Sequence, residues 1–169
     1  MRVSVSVAPW LPADLDPRRR AVVEAAMSSL GIAEEPKGSN RSPTIDRWNQ
    51  AVGVDVGSPW CASFASACWA AGQGAFASAS CEAWHGWAKN KPGRWVTSPE
   101  PGDVVLYALG ADRSLADHAG IVVRADHGYL FTAEGNSNGN GSREGYWALL
   151  QDRTGAPYIL GFVSLTGGQ

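Results

Sequence analysis

At Arg94 the chain changes its period, and that change limits the folds open to it. Before it, apolar residues recur at helical spacing; after it, short β-branched runs alternate with Gly, Pro and Asn turns. Candidate strands fall near 94–97, 103–108, 118–124, 128–134, 144–150 and 158–164. Helices first and strands second predict an α+β domain, N-terminal helices packed on a C-terminal antiparallel β-sheet.

The helical half has clear boundaries. Asp16-Pro17 starts a helix with an apolar stripe at Val22, Val23, Ala26, Met27 and Leu30, closed by Gly31. A polar loop over 34–43 leads to a second helix with Ile45, Trp48 and Val52 on one face. A third runs to about Ala71 and a fourth covers roughly 80–89. Residues 1–16, where Val3, Val5 and Val7 alternate with serines before a Pro/Asp-rich stretch, read as an N-terminal extension to one domain over 17–169. A domain of that size buries a core without disulfides or metals.

The third helix opens on Gly57-Ser58-Pro59-Trp60-Cys61-Ala62-Ser63-Phe64. Ser58 is placed to cap it and Pro59 to take the first helical position. Cys61 then falls in the first turn, where unpaired N–H groups and the positive end of the helix dipole converge. A thiol there has its pKa lowered, and the same N–H groups can hold an oxyanion formed when sulfur attacks a carbonyl. A sulfur nucleophile needs a base, and the base an orienter. Of three histidines, His85, His118 and His127, only His118 begins a buried strand, in Asp117-His118-Ala119-Gly120-Ile121-Val122-Val123. Tyr129-Leu130-Phe131-Thr132-Ala133-Glu134 forms the next strand and ends in a carboxylate. If the two strands are antiparallel, Glu134 meets His118 while the other imidazole nitrogen faces Cys61. Singly, these are a core cysteine, a strand-end histidine and a solvated charge; their order gives them weight.

These segments, with Pro101-Gly102-Asp103-Val104-Val105-Leu106-Tyr107 and Thr132-Ala133-Glu134-Gly135-Asn136-Ser137-Asn138, resemble a CHAP domain, a papain-like, NlpC-related cysteine amidohydrolase/peptidase. Glu35-Pro36-Lys37-Gly38-Ser39-Asn40-Arg41 resembles the lead-in of such domains. The resemblance implies a peptidoglycan hydrolase cutting the muramoyl–L-alanine amide or a peptide bond. It assigns Cys61 as nucleophile, His118 as base, Glu134 as orienting carboxylate and Asn136 as a fourth polar catalytic residue. Trp60, beside the nucleophile, and Asn40, in the lead-in, are the candidate substrate-binding residues. Some relatives carry calcium on alternating acidic residues before the nucleophile. Here 51–58 holds a single carboxylate, Asp55, so no metal and no cofactor are expected.

Composition sets further expectations. Net charge is −2, which predicts no broad cationic surface and no nucleic-acid partner. Arg18-Arg19-Arg20 reads as a solvated helix face. Eight tryptophans are many for this length, and core packing is their expected use, ahead of sugar-facing platforms. Three cysteines form no disulfide framework, and Cys61 and Cys68, about 10.5 Å apart along a helix, are too distant to bridge. Cys81 and His85 have helical spacing but no second ligand pair, so zinc is not expected. His127-Gly128 reads as a hairpin turn and 135–142 as a Gly/Asn loop. No run is apolar enough for a membrane span or signal peptide. The expectation is a monomer made in the cytoplasm, reaching the wall through a holin or an export machine: a phage-type endolysin. A secreted antibacterial effector amidase, a cysteine protease or acyltransferase acting elsewhere, and a silent wall-binding module remain alternatives.

Overall fold

The computed structural model describes residues 11–167; the strand-like Val3–Val7 segment and Trp10 lie outside them. Four helices, α1 (Pro17–Ser28), α2 (Pro43–Ala51), α3 (Cys61–Ala71) and α4 (Cys81–Lys89), precede six strands. These are β1 (Trp95–Val96), β2 (Val104–Tyr107), β3 (His118–Asp126), β4 (Tyr129–Ser137), β5 (Trp147–Asp152) and β6 (Ile159–Val163). They form one sheet in the order β1-β6-β2-β3-β4-β5, with every neighbouring pair antiparallel. The fold is the α+β arrangement that the change of period predicts.

Each helix starts where its capping chemistry allows. Asp16 accepts the Arg18 N–H and Pro17 follows at the first position of α1; Ser42 and Pro43 repeat the arrangement for α2. Ser80 caps α4 through the Ala83 N–H. The β3–β4 hairpin turns on His127 and Gly128, with φ of 47° and 85°, the left-handed angles that a two-residue turn needs.

α3 is the central helix. Eight of its eleven residues are buried, and it packs on α1, α2, β3 and β4. On β3, Ala119, Ile121 and Val123 face the helices and join the main core. Val122, with Val105, Tyr107, Leu130 and Phe162, forms a smaller cluster on the other side of the sheet. By the two-residue alternation of a strand, His118 and Gly120 share the face of Val122. Two glycines set the spacing between layers. A Cβ at Gly135 would stand 2.7 Å from Phe64 Cβ and 2.8 Å from the Trp60 ring, so the β4 backbone lies directly on α3. A Cβ at Gly120 would stand 2.7 Å from Glu134 Cγ, so the bare backbone there makes room for that side chain.

Two expectations are corrected. The Gly/Asn stretch at 135–142 is not all loop: β4 continues to Ser137 through an irregularity between Glu134 and Ser137, where Asn136 takes φ of 52°. The arginine run is not simply a solvated face. Arg19 is 3% exposed, and its guanidinium reaches Asp103 at 2.6 Å, Glu100 at 2.8 Å, and Ser164 and Thr166 at 3.1 Å each. The fork of donors finds enough acceptors to compensate its desolvation, and it ties α1 to the end of the sheet. Replacing Arg19 with Met would leave Asp103 buried with only the Glu100 and Leu165 N–H groups as partners. A loss of about 3 kcal/mol is expected, read as a lower urea midpoint at unchanged slope. Arg18→Met, at an exposed side chain paired only with Asp16, should move the midpoint little.

Candidate active site

Cys61 is the first residue of α3, so the helix begins two residues later than a Ser58 cap would start it. Trp60 occupies the cap position with φ of −125° and ψ of 12°, and no side chain caps the helix. The reason lies in what holds the preceding turn. Ser58 N–H donates to the Asp55 carbonyl and its own carbonyl accepts from Asn49. The Trp60 indole is fully buried beside Trp48 and Phe64, and donates its N–H to Glu34 Oε1 at 3.0 Å. The first helical bond runs from the Phe64 N–H to the Trp60 carbonyl. The N–H groups of Cys61, Ala62 and Ser63 therefore have no acceptor within the helix, at the end of α3 that carries the sulfur.

The histidine comes from the first position of β3, opposite Tyr107 on β2. Its Nε2 lies 2.8 Å from Glu134 Oε2, with both side chains fully buried. Glu134 is gripped from every side. Its Oε1 accepts from Tyr107 Oη at 2.8 Å, Thr132 Oγ1 at 2.7 Å and Arg153 Nε at 2.8 Å. Its Oε2 accepts from Arg153 Nη2 at 2.5 Å as well as from His118. Burial alone would raise this carboxyl; the Arg153 fork and then His118 outweigh it and hold it at about 2. An ionised carboxylate only accepts, so Nε2 must carry a proton and Nδ1 is left for the sulfur. Nδ1 is buried and has no conventional hydrogen-bond partner; the Cys61 side chain is the strongest influence favouring a protonated ring. Burial disfavours a charged imidazole, but Cys61 and Glu134 together lift His118 to about 9.

The sulfur has a second neighbour. Cys81, the first residue of α4, places its Sγ 3.8 Å from that of Cys61. Hydrogen bonding from the Cys81 thiol is the largest influence on Cys61; with His118 it overcomes burial and holds the Cys61 thiol well below its ordinary value. Cys81 itself is pushed well up, first by that partnership and then by burial. Burial also pushes Cys68 up, with nothing opposing it. A thiolate–imidazolium pair is therefore favoured over neutral thiol and neutral histidine, and it sits at the positive end of the α3 dipole.

The structure thus brings Cys61, His118 and Glu134 together. It gives Trp60 no face toward a substrate: the indole is 0% exposed, and it serves instead to seat Cys61. Asn136 is buried two residues beyond Glu134 and Asn40 is half-buried with φ of 56°; neither hydrogen-bonds the three. His85 packs on Trp95, and His127 makes the hairpin turn. Sequence reasoning missed Tyr107, Thr132, Arg153 and Cys81. Thr132 was within reach, since a residue two before Glu134 on a strand shares its face. Cys81 repeats the sequence logic of Cys61, a cysteine opening a helix. Arg153 follows β5 with no local signal.

A cysteine at a helix start, facing a histidine–carboxylate pair on an antiparallel sheet, defines a papain-like thiol hydrolase arrangement. Residues 53–136 match the family model of the CHAP domain, and the chain belongs to that family. The match takes in Cys61, His118, Glu134 and Asn136, and leaves out Asn40 and Arg153. Membership supports hydrolase chemistry of the amidase or peptidase type, directed at peptidoglycan. A search of curated proteins gives no significant match.

The Arg153 fork has a measurable consequence. Because the folded pKa of Glu134 lies below its unfolded value, its charge stabilises the fold above the ordinary carboxylate range, and that stability is lost as pH falls toward about 2. Arg153→Met removes the largest influence opposing burial, so the acid transition followed by tryptophan fluorescence should move to higher pH. Arg153→Lys, which keeps the charge but not the fork, should fall between. Superimposable acid curves for all three would deny Arg153 this role.

Proposed function

We propose that this protein hydrolyses an amide bond of peptidoglycan, the muramoyl–L-alanine link or a peptide bond of the stem or cross-bridge, by a Cys61–His118–Glu134 thiol mechanism. The observation that carries the reading is Cys61 at the open start of α3 beside a histidine whose far nitrogen is bound 2.8 Å from a buried carboxylate. The Cys61 thiolate attacks the carbonyl carbon and the C=O π electrons move onto oxygen. Free N–H groups in the first turn of α3 stabilise that oxyanion. His118, protonated at Nδ1, gives its proton to the leaving amine as the C–N bond breaks, and a thioester remains on Cys61. Neutral His118 then takes a proton from water, hydroxide attacks the thioester, and Cys61 leaves as thiolate. Glu134 keeps the Nε2–H in place and compensates the imidazolium through both steps.

Among the described residues no three His, Cys, Asp or Glu side chains form a group able to hold a metal. This mechanism calls for none, so activity should survive dialysis against EDTA and disappear after iodoacetamide. Loss in EDTA that calcium restores would overturn the metal-free reading.

Digestion of purified peptidoglycan, with mass spectrometry of the fragments, tests the proposal and names the bond. Wild-type protein should release amide-cleaved fragments, and Cys61→Ala should lose activity by about 10³-fold or more while still folding. Cys68→Ala should keep it. Dependence of kcat/KM on pH should show an alkaline limb near 9, where His118 loses its proton, with the limbs belonging to the pair. Glu134→Gln should lose less than His118→Ala. An active Cys61→Ala would end the reading. Phage-type lysis, with release from the cytoplasm through a holin, is the biological setting proposed. A neighbouring holin gene is its expected companion, and a neighbouring immunity gene would reassign the protein as a secreted effector.

A further inference from the structure

The thiol mechanism uses one cysteine, yet the site contains two. Cys61 and Cys81 open two different helices, and their sulfurs meet at 3.8 Å. Each is 7% exposed. Both sulfurs therefore belong to side chains that keep a small opening to solvent, through which a small oxidant can enter. A disulfide requires an S–S distance of about 2.05 Å, so the pair must close by about 1.8 Å, within reach of side-chain rotation at two helix ends. Residues 72–80, between the two helices, form no helix or strand and are pinned at Ser78 to Ser66 and Trp84, so the closing movement falls to the two cysteine side chains.

We propose that Cys61 and Cys81 form a reversible intramolecular disulfide when a hydroperoxide enters the site, switching the nucleophile off and shielding it from further oxidation. With hydrogen peroxide, the Cys61 thiolate attacks one oxygen; the O–O bond breaks, hydroxide leaves, and sulfur is oxidised to the sulfenic acid. The Cys81 sulfur then attacks the Cys61 sulfur. An S–S bond forms and the S–OH bond breaks, and the departing hydroxide takes the Cys81 proton as water. Two thiol groups have given up two electrons, and the peroxide has accepted them. The asymmetry between the two thiols suits the sequence of steps. Cys61, kept as thiolate by its neighbours, reacts first, and Cys81, kept protonated, waits as the resolving group. Cys68, buried in the helix core and further along α3, has no such partner and serves as internal control.

The activity arm rests on Cys61 as nucleophile, and the covalent arm does not. Purified protein is titrated with hydrogen peroxide, quenched with N-ethylmaleimide, and digested without reductant for peptide mapping. Wild type should give a peptide joined through Cys61 and Cys81, with Cys68 still alkylatable only after unfolding. Peptidoglycan digestion should fall in step and return in full with dithiothreitol. In Cys81→Ala and Cys81→Ser, Cys61 should pass on to sulfinic and sulfonic acid, and dithiothreitol should restore nothing of whatever activity those variants start with. Circular dichroism establishes that each is folded. The proposal is overturned if wild-type Cys61 reaches sulfinic acid without a joined peptide, as in the variants, or if it resists peroxide. A joined peptide with undiminished digestion would leave the disulfide standing and remove Cys61 as nucleophile.

Discussion

A single buried negative charge organises this molecule. Glu134 is sealed from water, and an ionised carboxylate in that position costs many kcal/mol unless it is surrounded by donors. Five hydrogen bonds reach it, from a tyrosine, a threonine, a histidine and both arms of an arginine. Those donors come from β2, β4 itself, β3 and the residue after β5, so satisfying one side chain fixes the mutual register of four strands. The glycine at 120 exists in the same economy of space, since a larger residue would collide with the Glu134 stem. What orients the histidine is thus also what holds the sheet together.

The opposite charge balance governs the sulfur. Here the protein supplies a helix start without a side-chain cap, a protonated ring and a neighbouring thiol, and each favours S⁻ over SH. The helix layer provides the sulfur and the sheet layer the imidazole. The placement of sulfur against imidazole therefore depends on how closely α3 sits on β3 and β4, and Gly135 against Phe64 and Trp60 permits that close approach. Packing and chemistry are one problem in this fold.

Much of this could be read from the residues. The helix and strand positions follow from caps, turns and apolar period, and the pairing of His118 with Glu134 follows from placing a strand start beside a strand end in an antiparallel hairpin. The start of α3 could not be read correctly, because Ser58-Pro59 is a strong local signal overruled by a tertiary one, the burial of the Trp60 indole against Glu34. Arg19 misled for the same reason: three arginines in a row look solvated until a distant aspartate claims the middle one. Arg153 and Tyr107 were invisible because their bonds to Glu134 cross nineteen and twenty-seven residues of chain. Local patterns carry caps and periods; they do not carry the partners of a buried charge.

The Glu34 carboxylate closes a mechanical ring. Its backbone N–H donates to Tyr146, beside the bridge of Ala33 to Trp147 on β5, while its two oxygens hold the Trp60 indole and the Gly38 N–H. The circuit runs from Cys61 through Trp60 and Glu34 to β5, across β4 to Glu134, and back through His118 to the sulfur. A closed frame of this kind resists shear that an open one would allow, since any slip of helix against sheet must break bonds on both sides of the Cys61 sulfur at once. The segment that carries Asn40 is fastened into that frame at Gly38. The segment around Asn40 and the turn that seats Cys61 are therefore braced by the two oxygens of one carboxylate. Transplanting the helix and the two central strands into another scaffold without residues 33–38 would carry over Cys61, His118 and Glu134 and lose the brace that keeps them in line.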